Sequence, residues 1–165
     1  MKNLLKPDYY FKSIYDIDLK WLKKQNIQNV ILDIDNTLVC WGAKQIDDKG
    51  RTFIEKLLNE GFRVCLLSNS SAKRVKNFIS NDKILYYTGF GIKPMKRKFL
   101  GAIKLFDNNI EETCIIGDQI FTDILGGNRV GIKTILVDPI DSREFIMTKF
   151  FRRLEKKIKV DLRYS

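Results

Sequence analysis

Apolar positions along the chain gather into short unbroken runs instead of alternating with polar ones. Four runs stand out, at 30–33, 64–68, 113–118 and 134–138, with a weaker one at 84–87. They are short and mostly β-branched or aliphatic, the pattern of strands buried on both faces of a sheet. Segments of helical length lie between them, at 49–59, 71–81, 95–106 and 121–129. Strand and helix in alternation predict an α/β fold, a doubly wound, Rossmann-like parallel sheet with helices on both faces. No repeat, linker or low-complexity tract interrupts the pattern, so residues 1–165 are expected to form a single domain. Two extensions flank the sheet. The N-terminal one, 1–29, is expected to hold a short helix around Leu19 and Trp21. The C-terminal one, 141–160, reads as a basic amphipathic helix.

In such sheets ligands bind beyond the carboxyl ends of the strands. The residues just past three of those ends are Asp33, Ser68 and Asp118, all suited to phosphate or metal chemistry. Asp33 and Asp35, two residues apart in Asp33-Ile34-Asp35-Asn36-Thr37, would repel each other unless a cation lay between them. Phosphoryl transfer needs a nucleophile, an acid for the leaving oxygen and a divalent cation. The plainer alternative is a turn whose aspartates cap backbone amides. Ser68, in Leu67-Ser68-Asn69-Ser70, can hydrogen-bond a phosphate oxygen where a helix N-terminus adds amides, or can simply cap that helix. Lys93, ahead of Pro94, can neutralise a phosphate and a nucleophilic aspartate, though the chain is rich in lysine. Asp118, after Gly117, offers a hard oxygen ligand suited to Mg²⁺. Asp123 could orient the lysine or a metal-bound water, and either could instead cap the helix that follows. Each signal alone is modest; their occurrence together at strand ends is much more specific.

Composition narrows the chemistry further. The chain contains no histidine, which removes Ser-His-Asp and Cys-His catalysis and most zinc hydrolase sites. Its formal net charge of +10 favours an anionic partner, whether phosphate ester, nucleic acid or acidic membrane, although host composition could also produce it. Cys40, Cys65 and Cys114 show no metal-ligand spacing and fit a reducing compartment. With no long apolar segment in sight, a cytoplasmic protein is expected.

The four segments resemble the four motifs of the haloacid dehalogenase (HAD) superfamily of phosphatases. The resemblance implies Asp33 as nucleophile and Asp35 as general acid and base. It implies a phosphate-binding set of Ser68 with Asn69 and Thr37, Thr37 also supporting the turn, and Lys93 as the stabilising cation. Mg²⁺ would be held by the Asp33 side chain, the Asp35 backbone carbonyl and Asp118, with Asp123 behind them. The flanks, Leu5-Lys6-Pro7-Asp8-Tyr9-Tyr10 and the segment from Thr148 to Lys156, resemble the YqeG-like group of subfamily IIIA. That group is related to the phosphatidylglycerophosphate phosphatases of mitochondria and chloroplasts. Ser70 departs from the asparagine expected after Ser68-Asn69. Members of the superfamily usually enclose the site with an inserted cap, yet the spacings from Asp33 to Ser68 and from Ser68 to Lys93 leave no room for one. A capless, open site is expected, able to admit a phosphate carried on a bulky body.

The segment after Asp141 sharpens the partner question. Ile146, Met147, Phe150, Phe151, Leu154 and Ile158 recur at helical spacing, and eight basic residues face three acidic ones from Ser142 onward. Such a helix can lie on an anionic membrane or dock on the domain. The expected partner is a phosphorylated substrate, and the family resemblance implies phosphatidylglycerophosphate as the preferred one. A peripheral contact with an anionic membrane, at the inner membrane face, would go with it. A phosphatase of nucleic-acid ends or of a phosphoprotein is the alternative. A receiver-like signalling domain or a non-catalytic phosphate- or nucleic-acid-binding protein fits the carboxylate set less well. Nothing in the sequence addresses oligomeric state.

Overall fold

The computed structural model describes residues 3–79, 81–141, 158–159 and 162–164. Six parallel strands form one sheet in the order β1-β6-β5-β2-β3-β4. They are β1 (Tyr9–Phe11), β2 (Asn29–Leu32), β3 (Arg63–Leu66), β4 (Leu85–Tyr86), β5 (Thr113–Gly117) and β6 (Lys133–Val137). The helices are α1 (Leu19–Lys24), α2 (Asp48–Asn59), α3 (Ala72–Lys76), α4 (Lys96–Lys104) and α5 (Leu125–Val130).

Both faces of the sheet are covered, which explains why its strands do not alternate in polarity. Val30 and Leu32 of β2 join a core with Leu22 of α1, Phe53, Ile54 and Leu57 of α2, and Val75 of α3. Ile31, between them, points the other way and packs with Phe99, Ala102 and Ile103 of α4. Alternate side chains of one strand thus enter opposite cores, and both positions must be apolar. The thiols of Cys65 and Cys114 lie in these layers, and burial pushes both up to about 12. They act as small apolar side chains.

Four elements differ from the sequence-based expectation. β1 was not anticipated: three residues are too few to show a pattern, and the strand exists because β6 offers an edge. Asp8 secures it, its carboxylate accepting from Thr134 N (2.8 Å) and from Thr134 Oγ1 (3.0 Å). The fourth strand is only two residues long. The helix expected at 71–81 closes early, because Asn77, Phe78 and Ile79 donate to carbonyls three residues back and tighten the last turn. The helix expected at 121–129 opens with a π-helical turn, Ile120–Ile124, before α5 begins.

The amphipathic helix expected over 141–160 falls mainly outside the described residues. The end of that segment is held to the domain. Ile158 and Leu162 pack against Tyr10, Ile120, Ile124 and Leu136. Asp138, just past β6, accepts hydrogen bonds from Tyr10 Oη (2.5 Å), Tyr164 Oη (2.6 Å) and Lys159 Nζ (3.1 Å).

The order of strands fixes where a ligand can sit. From β2 the chain steps outward to β3 and β4, then returns to β5 on the other side of β2 and continues to β6. The switch between these directions opens a crevice past the ends of β2 and β5. Between β2 and β3 lies only a loop with α2. Between β3 and β4 the described residues hold only α3 and turns.

The packing of α4 on α5 supplies a direct test. A β-carbon at Gly126 would run into the buried Phe99 ring. Gly126→Val is therefore expected to destabilise the fold by about 1–3 kcal/mol through overpacking, read from urea unfolding. The double variant with Phe99→Leu should lose less than the sum of the two single losses. Strict additivity would show that the two positions do not meet.

Candidate functional site

Three loops converge on the crevice, and each is shaped by local bonds. After β2 the chain makes a tight turn in which the amides of Leu38 and Val39 both donate to Ile34 O at 3.0 Å. Asn36 takes a left-handed conformation there (φ 61°), which asparagine tolerates better than most residues. After β5, the π-helical turn brings Asp123 back over the strand end, where its Oδ2 accepts the Gln119 amide (3.1 Å). Gly117 is required beneath it, since a β-carbon there would strike the Asp123 carboxylate. From the β3 side, Asn69 clasps the backbone of Lys93, its Oδ1 accepting from Lys93 N (2.7 Å) and its Nδ2 donating to Lys93 O (3.4 Å).

The clasp aims Lys93 into the crevice. Its ammonium, on a side chain only 4% exposed, donates to Asp33 Oδ1 and to Asp123 Oδ1 (2.6 Å). Carboxylate oxygens of Asp33, Asp118 and Asp123 lie within 4.8 Å of one another, and all three residues are buried. Burial pushes the Asp33 carboxyl well above the usual range; Lys93 opposes this, while Asp123 and Asp118 add to it. Burial by itself would lower Lys93, but Asp123 and Asp33 outweigh it and hold the ammonium charged. Three acidic groups thus face one ammonium. Two close carboxylates with hard oxygens and surplus negative charge suit a divalent cation of the magnesium type. Asp33 and Asp118, at the exits of β2 and β5, fit as its ligands, and Asp123 accepts hydrogen bonds from Lys93 and from the Gln119 amide.

A cavity of about 440 Å³ opens over this cluster, lined in part by Asp33, Asp35, Ser68, Asn69, Lys93 and Asp123. A larger hollow, about 750 Å³, lies between α2 and the segment around Tyr15 to Lys20. It contains none of the predicted site residues, whereas the buried carboxylates converge on the smaller one, which is the candidate site.

The expected residues do not all occupy equivalent positions. Ser68 lines the cavity, and its Oγ accepts the Ser70 amide (3.0 Å). Thr37, expected among the phosphate-binding groups, is 1% exposed, and its hydroxyl donates to Asp118 Oδ1 (3.2 Å). It orients a carboxylate and does not line the cavity. Asn69 lines the cavity while holding Lys93. Asp35 lines it too, with its side chain in a fork: Arg74 Nη1 and Nη2 each donate to one of its oxygens at 2.7 Å.

Arg74 and Ser70 are the groups that sequence reasoning missed. The guanidinium also donates to Ser70 Oγ (2.6 Å) and to Ala43 O (3.0 Å), and the Ser70 hydroxyl donates to Asp35 Oδ2 (3.2 Å). The bond to Asp35 holds the Arg74 guanidinium even more firmly in its charged form. The departure at Ser70 was the one visible signal, and the serine proves to be part of the Asp35 support. Trp41, which also lines the cavity and is 46% exposed, carried no signal at all.

The buried ion group makes a stability prediction. Lys93→Met leaves Asp33 and Asp123 without their shared cation, and in EDTA at pH 8 this should cost about 3–5 kcal/mol, as for other broken buried pairs. Burial already raises the folded-state carboxyl of Asp33, and losing Lys93 raises it more. The deficit should therefore be smallest below the unfolded pKa of about 3.9 and grow as pH rises through the folded value. Urea unfolding of both proteins across that range checks it; a deficit that does not change with pH would contradict the assignment.

Residues 92–139 match the HAD-hydrolase-like family. The chain is 35% identical over 158 residues to the probable phosphatase YqeG of Bacillus subtilis, spanning 96% of this chain and 91% of that protein. It is 28% identical to phosphatidylglycerophosphate phosphatase 1 of Arabidopsis thaliana, covering 90% of this chain and 45% of the plant protein. Among solved structures, the cobalt-bound deoxy-D-mannose-octulosonate 8-phosphate phosphatase of Haemophilus influenzae shares the fold. There the TM-score is 0.55 at 18% identity, over 84% of this chain and 90% of that one.

Proposed function

The chain belongs to the YqeG-like family of HAD-type phosphatases, and on that footing we propose that it hydrolyses a phosphomonoester through Asp33, with Mg²⁺ as the cofactor. One observation carries the reading: the Asp33–Lys93–Asp123 group, with Asp118 beside it, lies at the floor of the cavity whose wall includes Asp35 and Ser68.

In the first step an Asp33 oxygen attacks phosphorus in line. The bond from phosphorus to the alcohol oxygen breaks, and Asp35 gives that oxygen its proton. In the second step Asp35 takes a proton from water, whose oxygen attacks phosphorus, and the bond to Asp33 breaks. Phosphate leaves, and both carboxyl groups return to their starting state. Ser68 binds the phosphoryl oxygens from the wall, and Lys93 offsets charge on the nucleophile and the phosphoryl group. Arg74 and Ser70 keep the Asp35 carboxyl facing the cavity. Asp33, Asp118 and the Asp35 backbone carbonyl would hold a divalent cation, which would supply charge neutralisation for the phosphoryl group. Positioning and fixed charge supply most of the acceleration.

The preferred substrate is phosphatidylglycerophosphate, with phosphatidylglycerol and phosphate as products, acting from the cytoplasmic side at an anionic membrane face. The plant relative's activity and the absence of a cap over the cavity among the described residues support it. A panel of lipid, nucleotide-end, sugar and phosphopeptide phosphates tests the choice. Preference for a nucleic-acid end or a phosphopeptide would reject the lipid reading and leave the phosphatase reading standing.

Asp33→Asn is expected to remove phosphate release in a protein that still unfolds cooperatively, because an amide does not attack phosphorus. Asp35→Asn should slow release by about 10²–10⁴-fold, the usual contribution of one general acid or base, measured by rapid quench with a labelled ester. Retained activity in the Asp33 variant would refute the nucleophile assignment.

Metal binding has a readout of its own. Mg²⁺ at a hundred times its dissociation constant should stabilise the folded state by about 2.7 kcal/mol. For a chain of this length that raises the melting temperature by roughly 5–10 °C. Asp118→Ala should abolish the rise. An equal rise in wild type and variant would place the cation elsewhere.

A further inference from the structure

The loop that delivers Lys93 to the site presents an apolar outer face. Phe90 is 77% exposed, Ile92 56% and Met95 50%, and Leu100 on α4 is 46% exposed. These are four of the nine exposed large apolar side chains among the described residues, gathered into eleven consecutive positions. Trp41, a fifth, lines the cavity itself. Scattered exposed apolar residues need no explanation, but a cluster flanking Lys93, which lines the cavity, does.

Charge around the cluster is one-sided. Between Asp82 and Asp107 the sequence contains six lysines or arginines and no acidic residue. Lys93 and Lys98 are buried, whereas Lys83, Lys96, Arg97 and Lys104 are exposed. The Arg97 guanidinium stands 5.9 Å from the centre of the Phe90 ring, so a cation and an aromatic ring share the loop tip. The position of the loop is not adjustable at will: Asn69 fixes Lys93, and the Met95 amide donates to Ile92 O at 2.7 Å.

We infer that the 90–100 segment is the membrane-docking face of the protein, seating Phe90, Ile92 and Met95 in an anionic lipid surface so that the mouth of the cavity meets a phosphate at the headgroup level. The inference rests on the phosphatase reading of the site and adds to it the surface from which the substrate is taken. Apolar side chains flanked by lysine and arginine match a bilayer interface that is apolar within and anionic at its surface. A second copy of the chain matches it poorly, because it would bring the same cations into contact with themselves. The arrangement also removes the need for a cap, since the lipid surface would exclude bulk water from one side of the cavity.

Co-sedimentation with vesicles tests this, using the full chain. Wild type should bind phosphatidylglycerol vesicles at low ionic strength, bind them less at high ionic strength, and bind phosphatidylcholine vesicles weakly. Phe90→Ser/Ile92→Ser/Met95→Ser should weaken binding by about tenfold or more, as expected from the lost apolar burial. Lys96→Gln/Arg97→Gln should reduce the preference for phosphatidylglycerol over phosphatidylcholine. The substituted side chains are exposed and do not line the cavity, so both variants should keep wild-type thermal unfolding and wild-type hydrolysis of a soluble phosphomonoester. Absence of wild-type binding, or equal binding by wild type and the triple serine variant, overturns the proposal. So does a wild-type dimer that the serine variant converts to monomer, which would make the face a self-interface. Failure of wild type to hydrolyse any soluble or vesicle-borne phosphomonoester, with vesicle binding intact, would instead reject the phosphatase reading and leave the docking face standing.

Discussion

A single ammonium, that of Lys93, is shared between two buried carboxylates, and much of the site is arranged to keep it there. An unpaired charge at that depth would be strongly destabilising. The chain therefore fixes Lys93 from several directions: Asn69 clasps its backbone, Asp33 meets it from the end of β2, and Asp123 meets it from the π-helical turn after β5. Gly117 has no side chain because the Asp123 carboxylate needs that space. Asp118 adds a third acid held by Thr37, so the cluster keeps surplus negative charge. A divalent cation bound there would offset that imbalance.

The fold provides the crevice without elaboration. Parallel strands end on the same side, and reversal of direction between β2 and β5 separates the loops that follow them. Asp33 and Asp118 stand at those two exits. The loops from β3 and β4 close the other side with Ser68, Asn69 and Lys93. No inserted domain covers the opening among the described residues, and its surroundings are rich in exposed apolar and basic side chains. That openness underlies both the proposed lipid substrate and the proposed docking face.

A strand end does not by itself make a functional residue, as Asp118 and Asp138 show. Both follow an aliphatic strand of the same sheet. Asp118 faces the crevice with Asp33, whereas Asp138 collects Tyr10, Tyr164 and Lys159; burial would raise its carboxyl, and these three partners together hold it low. It ties the end of the chain to the β1–β6 edge. Arg74 and Lys98 make a similar contrast among the cations. Arg74 forks onto Asp35, while Lys98, buried on α4, donates to Gly89 O (3.3 Å), and burial with the nearby Lys93 lowers it.

Much of the architecture was legible in the order of apolar runs, because a strand covered on both faces has to be apolar at every position. The ends of those runs pointed to Asp33, Ser68 and Asp118 for the same reason: the first polar residue marks where the sheet stops and a ligand can begin. The short elements were not legible. β1 has three residues, and only the free edge of β6 makes it a strand. The partners of the site residues were also hidden. Arg74 sits in a basic run where nothing local separates it from Lys73 or Lys76, yet folding carries it across 39 positions to Asp35. Thr37 looked like a phosphate ligand, and folding set it against Asp118, 81 positions away. Burial pattern is a property of each segment, so the sequence could determine the strands and their polar exits. Which charge neutralises which depends on distances between segments, and those exist only once the sheet has brought the segments together.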